Sequence, residues 1–249
     1  MKSGYNFKNN PEVFKSLASL VNSETGRGSL GRFETSASLL NGVFFAPKYL
    51  MSRLNLLNPF YYAKLAKPVR VLAMKDMLKF VGAGVTLVAM AKAAGAEVEV
   101  DPRSSDFGKI KVGNTRLDIW GGFQQLIRTA AQITMGQIKT TTGNVRELNG
   151  RTFPFTTRWD VMERFVESKF APVTGFIRDW AANKNYVGQP FELSKEMINY
   201  LVPLYIQDLT DAIKDNDLQG GLLTIPAIFG TGVQTYQPKV KEYKKVIGY

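Results

Sequence analysis

The stretch from Asp101 to Arg128, DPRSSDFGKIKVGNTRLDIWGGFQQLIR, constrains this chain more than any other. Gly113-Asn114 lies between two runs in which apolar and charged residues alternate, and both residue types tolerate the positive φ of a two-residue hairpin turn. A hairpin closed there over residues 107–120 pairs Val112 with Thr115, Ile110 with Leu117 and Gly108 with Ile119 on one largely apolar face. The other face then carries Lys111 beside Arg116, Lys109 across from Asp118 and Phe107 across from Trp120. Successive strand side chains point to opposite faces, so a slip by one residue would mix the two sets; the pattern fixes the register. The hairpin feeds directly into an amphipathic helix predicted from Gly121 to Met135, with Phe123, Leu126, Ile127, Ala130 and Ile133 on one side.

Asp101, Asp106 and Asp118 invite a reading as paired acid–base groups. Asp101-Pro102 and Ser104-Ser105-Asp106 read more simply as turn formers whose side chains bond their own backbone, because nothing else converges on these acids. The composition agrees. The 249 residues include no cysteine and no histidine, which removes disulfides, thiolate catalysis, Cys-ligated zinc, the commonest general base and the commonest metal ligand. Serine, lysine or carboxylate chemistry would work without its usual partners, so the expectation is a non-enzymatic protein with no metal, no cofactor and no small-molecule substrate. Hydrophobic residues at 45% and aromatics at 12% supply a real core and exclude disorder as the general state.

The net charge of +11 is unevenly spread. Residues 1–96 hold 13 Lys/Arg against 4 Asp/Glu, whereas residues 97–249 hold 19 against 17. Such asymmetry points to a polyanionic partner, nucleic acid or an anionic membrane surface, and is equally compatible with a solvated basic face. Arg27, Arg32, Lys48, Arg53, Lys64, Lys67 and Arg70 are interleaved with Phe44, Phe45, Tyr49, Phe60, Tyr61 and Tyr62. Cations among aromatics bind single strands by charge and stacking, or sit at a lipid headgroup interface, or pack as core aromatics beneath a polar face. The glycine-rich loop Glu24 to Gly28 lacks the Gly-Lys-Ser/Thr ending of a phosphate cradle and reads as a helix stop.

The remaining segments predict a mainly α protein, a helical bundle-like assembly with short antiparallel hairpins at 107–120 and 138–148. Helices are expected at Pro11–Asn22, Phe33–Val43, Pro47–Leu57 and Phe60–Ala66. The longest, Pro68–Ala96, would measure about 43 Å. Its uncharged middle, Phe80 to Ala91, is too short for the ~20 residues of a bilayer span and is expected in the core. Further helices are expected at Asp160–Phe170, Pro172–Ala182, Ser194–Leu201 and Leu204–Lys214. In the uncharged stretch Leu218–Pro238, a buried connector or a short helix over Leu222–Phe229 is expected, and the tail from Lys239 reads as extended or frayed. The divisions are a basic helical region at 1–96, a hairpin–helix–hairpin unit at 97–150, a helical region at 151–235 and a charged tail at 236–249, folding as one domain. The polar N-terminus MKSGYNFKNN has no apolar signal-peptide core.

The string from Asp101 to Arg116, followed by Asp118 to Gln125, resembles the large polyvalent protein-associated domains found in very long multidomain proteins of tailed phages and other mobile elements. The likeness extends to residues 22–28, 44–47 and 57–62 upstream, and to 168–172, 187–191 and 226–236 downstream. Within the central string it rests on Asp101, Arg103, Asp106, Gly108, Lys109, Gly113, Asn114, Arg116, Asp118 and Trp120. This resemblance implies a module of proteins that travel with the phage genome into the host, and it carries no catalytic residues with it. The function expected is a virion-associated structural or ejection protein that meets DNA or an anionic membrane through its basic N-terminal region. As partners it would have copies of itself and other virion proteins, and it would be found in the virion and then in the host cytoplasm or envelope. The alternative is an intracellular effector or accessory module acting after entry, which requires a concave site.

Overall fold

The computed structural model describes residues 8–151, 155–170 and 232–235, together with Gly4 and Asn6. Among them are seven α-helices, one 3-10 segment and six short strands, so the architecture is mainly helical with small antiparallel sheets. Helix α1 (Pro11–Glu24) opens with proline at its first turn and ends where the Thr25 hydroxyl donates to the Val21 carbonyl at 2.8 Å. Gly26 follows at φ 82°, and the backbone at Gly28 lies so close to α3 (Pro47–Leu57) that a Cβ there would stand 2.3 Å from the Ser52 amide. The glycine-rich loop is thus a helix stop and a close crossing.

The helix expected at Phe33–Val43 is broken. A 3-10 turn, Gly31–Ser36, precedes α2 (Ala37–Val43), neither of which buries a residue, so packing does not enforce one continuous helix. Helix α4 (Pro59–Lys64) is capped by Asn58, whose side chain accepts from the Phe60 amide. The core gathers Leu20 of α1, Leu56 of α3, Leu65 at the end of α4, Val69 and Ala73 of α5 (Lys67–Ala93), and Phe123 of α6 (Phe123–Met135), with Tyr61, Tyr62 and Trp120 packed against it.

Helix α5 departs from the expectation of a core helix. After Ala73 its only buried residue is Gly84, and Val71, Met74, Leu78, Val81 and Val85 form an exposed stripe at spacings of three and four, with Leu78 70% exposed. Its charged residues are spread around the axis instead of gathered on one side, so its composition marks no inner face. Its first turns meet the core, Phe80 meets Trp120 and Phe123, and the notch at Gly84 holds the Trp120 ring.

The polar hairpin forms in the predicted register: β2 (Ile110–Val112) pairs with β3 (Thr115–Asp118) through Val112–Thr115, Lys111–Arg116 and Ile110–Leu117. Gly113 takes φ 56° and Asn114 does not enter the positive-φ region, so one left-handed residue suffices for the turn. The ladder stops there. Gly108 turns at φ 68° and its amide donates to the Glu99 carbonyl, so the expected pairs Lys109–Asp118, Gly108–Ile119 and Phe107–Trp120 are absent from it. Two strands unforeseen in the sequence complete the sheet: β1 (Glu97–Val98) on β2, and β6 (Gly232–Thr235) on β3, in the order β1-β2-β3-β6. Residues 232–235 are therefore strand rather than connector. The second hairpin forms as β4 (Gln137–Lys139) with β5 (Val145–Glu147), and α7 (Arg158–Glu167) follows behind a Thr157–Asp160 capping box. The helices expected at Pro172–Ala182, Ser194–Leu201, Leu204–Lys214 and Leu222–Phe229, and the tail from Lys239, lie outside the described residues.

Candidate functional site

The loop between β1 and β2 is held onto α6 by side chains aimed at its backbone. Gln124, almost fully buried, donates to the Ser105 carbonyl at 3.1 Å, and Gln132 donates to the Arg103 carbonyl at 2.7 Å. Arg103 meets Asp101 at 2.8 Å and donates to Gln137 Oε1 at 2.6 Å, while Lys139 pairs with Glu99 at 2.6 Å. The guanidinium beside it and the Arg103 amide hold the Asp101 carboxyl down at about 2. Turn chemistry accounts for Asp101 and Asp118, and at Asp106 it uses the backbone amide while the carboxylate pairs with cations. Asp101 accepts from the Arg103 amide, Ser104 Oγ accepts from the Asp106 amide, and Asp118 accepts from the Trp120 amide at 2.9 Å.

A half-buried ionic cluster lies behind that loop. Lys109, whose side chain is 7% exposed, stands 3.6 Å from Asp106 and donates to Gln234 of β6, while Arg116 reaches Asp106 at 3.4 Å. Burial pushes Lys109 down and Asp118 up; Lys109 and Arg128 oppose the shift at Asp118. The Trp120 indole donates to the Gly108 carbonyl at 2.8 Å and lies against Gly84 of α5, where a Cβ would come within 2.6 Å of the ring. The residues that carry the resemblance therefore hold the hairpin, α5 and α6 together.

The seven basic residues of the N-terminal region do not converge on one place. Arg27, Arg32, Lys64 and Lys67 are exposed. Lys48 is bonded to Glu34, and Arg70 donates to the carbonyls of Ala63 and Leu65. Arg53 is the exception. Its guanidinium stacks 4.5 Å over Tyr49 and 5.1 Å over Phe123, and its Nε donates to the Gly121 carbonyl at 2.7 Å, beside the Tyr49 hydroxyl on the same oxygen.

Arg53 opens onto a cavity of 520 Å³ between α3, the Asp118–Gly122 turn, α6 and the end of α7. Its walls are apolar at Phe45, Leu50 and Leu126; its charged groups are Arg53, Lys169 and Asp118, beside Gln125 and the hydroxyls of Tyr49 and Ser168. Lys169 donates to Gln125, and burial followed by the charge of Arg128 lowers its pKa. On the far side of Arg53 a smaller cavity of 220 Å³ is lined by Glu24 and Asp76; burial and then Asp76 raise the Glu24 carboxyl. A third, open groove of 800 Å³ runs between Leu87 and Met90 of α5 and the apolar face of the hairpin. Gln125 and Lys169 were not among the sequence candidates. They lie 44 positions apart, and no local pattern links them.

Among the described residues, no group of three acidic side chains is placed to hold a metal ion. Comparisons with family models, with curated proteins and with solved structures each returned no match.

Proposed function

We propose that this protein is a phage virion-associated structural or ejection protein, delivered with the genome, and that its N-terminal region adsorbs to an anionic membrane. The motif strings support the phage setting. The observation that carries the surface reading is that the N-terminal region exposes both cations and large apolar side chains. Arg27, Arg32, Lys64 and Lys67 are exposed in the same part of the chain as Phe33, Phe45, Phe60 and the α5 stripe. Duplex DNA rewards the cations but offers nothing to Leu78, Val81, Val85 or Met90, whereas a headgroup–acyl boundary accepts both. Among the described residues no helix is long and apolar enough to cross a membrane, so α5 would lie along the interface.

Vesicle flotation tests the contact. The expected result is binding to anionic but not zwitterionic vesicles at low salt, released as salt rises, and lost in the Leu78→Lys/Val85→Lys variant. Binding to duplex DNA without flotation would put DNA in place of lipid, and the absence of both at low salt would overturn the surface reading. Quantitative mass spectrometry of virions before and after triggered DNA release tests the setting: presence followed by depletion is expected, and absence from virions would leave the intracellular reading.

One observation favours that second reading, an effector or accessory module acting after entry. The 520 Å³ cavity is the concave site such a role requires.

A further inference from the structure

We infer that the cavity between α3, α6 and the end of α7 binds a phosphate monoester of nucleotide size. The inference does not rest on the membrane reading: the cavity shares Phe45 with that surface and none of the α5 stripe. Its 520 Å³ lies within the range of about 300–1,000 Å³ typical of small-molecule sites, and its walls follow their pattern of apolar surface with few polar groups.

The charges of those polar groups select the ligand. Neither Arg53 nor Lys169 forms an ion pair among the described residues. Among the described residues Asp118 is the only acid in the lining, and the cations that act on it are Lys109 and Arg128, reaching it from outside the cavity walls. Arg53 and Lys169 therefore face the cavity in excess. A phosphate monoester carries about −1.5 to −2 charges near neutral pH, which matches two cations better than a carboxylate does. Lys169 is held at a site that disfavours its charge, through burial and Arg128, and a bound dianion would relieve both effects.

The geometry suits a group with a planar or apolar body. Arg53 is fixed by the Gly121 carbonyl and the Tyr49 and Phe123 rings, so it presents its remaining donors with little rotamer freedom to lose. Phe45, 67% exposed at the rim, offers a free ring face for a base, and Leu50 and Leu126 complete an apolar wall. The phosphate group would lie between Arg53 and Lys169. Two sources share this chemistry: a free nucleotide and the 5′-phosphorylated end of a DNA strand.

Titration calorimetry on the full chain tests the site, with inorganic phosphate, a nucleoside 5′-monophosphate, the parent nucleoside, and an oligonucleotide with and without its 5′ phosphate. Saturable one-site binding of the monophosphate, with the nucleoside much weaker, is expected. Lys169→Gln and Arg53→Gln should each weaken it roughly tenfold or more, the usual effect of losing a charge-assisted bond, while Arg146→Gln, at an exposed position of β5 away from the cavity, leaves it unchanged. Circular dichroism of each variant separates lost binding from lost folding, and Lys169→Arg should restore binding if charge is what matters. Preference for the phosphorylated oligonucleotide identifies a strand end; preference for the monophosphate identifies a free nucleotide. Equal binding of nucleoside and monophosphate, affinities unchanged in both folded Gln variants, or no binding of any probe would overturn the proposal.

Discussion

Trp120 shows how much a single side chain can connect here. Its indole N–H bonds the Gly108 carbonyl, its ring fills a notch at Gly84 of α5, and Phe80 meets it edge-on at 6.3 Å. Trp120→Ala is expected to lower stability by about 3 kcal/mol, and Gly84→Leu by roughly 1–3 kcal/mol through overpacking, both read from urea midpoints. Asp101 makes a pH prediction. Its carboxyl sits at about 2 instead of 3.8, so the folded state favours the ionised form. That contribution is present above about pH 4 and is lost as the pH falls toward 2. Asp118 runs the other way: its raised pKa lets the folded protein take up that proton first, which offsets part of the loss. Urea midpoints measured across that range should fall for the parent protein and change less for Asp101→Asn; equal slopes would show that the Arg103 pair contributes nothing. The turn roles of these acids were legible from residue type alone, whereas the partners Gln124, Gln132 and Gln137 were not, since each is set by how α6 and β4 lie against the loop.

At the scale of elements, periodicity announced helices but not the faces they bury. Helix α6 has the apolar face read from its sequence, yet beside Phe123 it buries Gln124, Thr129 and Gln132 and leaves Ile127 and Ala130 exposed, because the loop after β1 packs on its polar side. It closes at Gly136, φ 65°, where a Cβ would stand 2.3 Å from the Arg158 guanidinium. Gly136→Ala should therefore lower the unfolding free energy by about 1–2 kcal/mol, through the left-handed backbone and the displaced Arg158 bond to the Ile133 carbonyl. Helix α5 spreads its charged residues around the axis, so it announces a helix but no face, and the structure leaves Val71, Met74, Leu78, Val81 and Val85 exposed. Leu78→Lys with Val85→Lys should change stability by no more than about 0.5 kcal/mol per site, by thermal unfolding, since surface positions tolerate exchange. A large loss would mean that the stripe is covered in solution.

Across the whole molecule, the joints are long-range. Strand β6 pairs with β3 from Thr115–Thr235 to Asp118–Gly232, burying Val233 and bringing Gln234 to Lys109. Val233→Ala should lower stability by about 1–2 kcal/mol and reduce hydrogen-exchange protection of amides 115–118 along with those of 232–235. Protection lost in β6 alone would mean that the strand is an appendage. The core likewise joins Leu20, Leu56, Val69 and Phe123, and the cavity joins Arg53 to Lys169. What the sequence determined by itself was what neighbours decide: the hairpin register from alternation, helix starts at Pro11 and Pro47, the acid turns, and a basic N-terminal region. The tertiary structure alone decided which face of α5 is buried, where the hairpin ladder ends, that residues 232–235 are a strand, and which cations meet in a cavity. Local patterns record the energy of residues a few positions apart, while these outcomes depend on contacts that exist only once the chain has closed on itself.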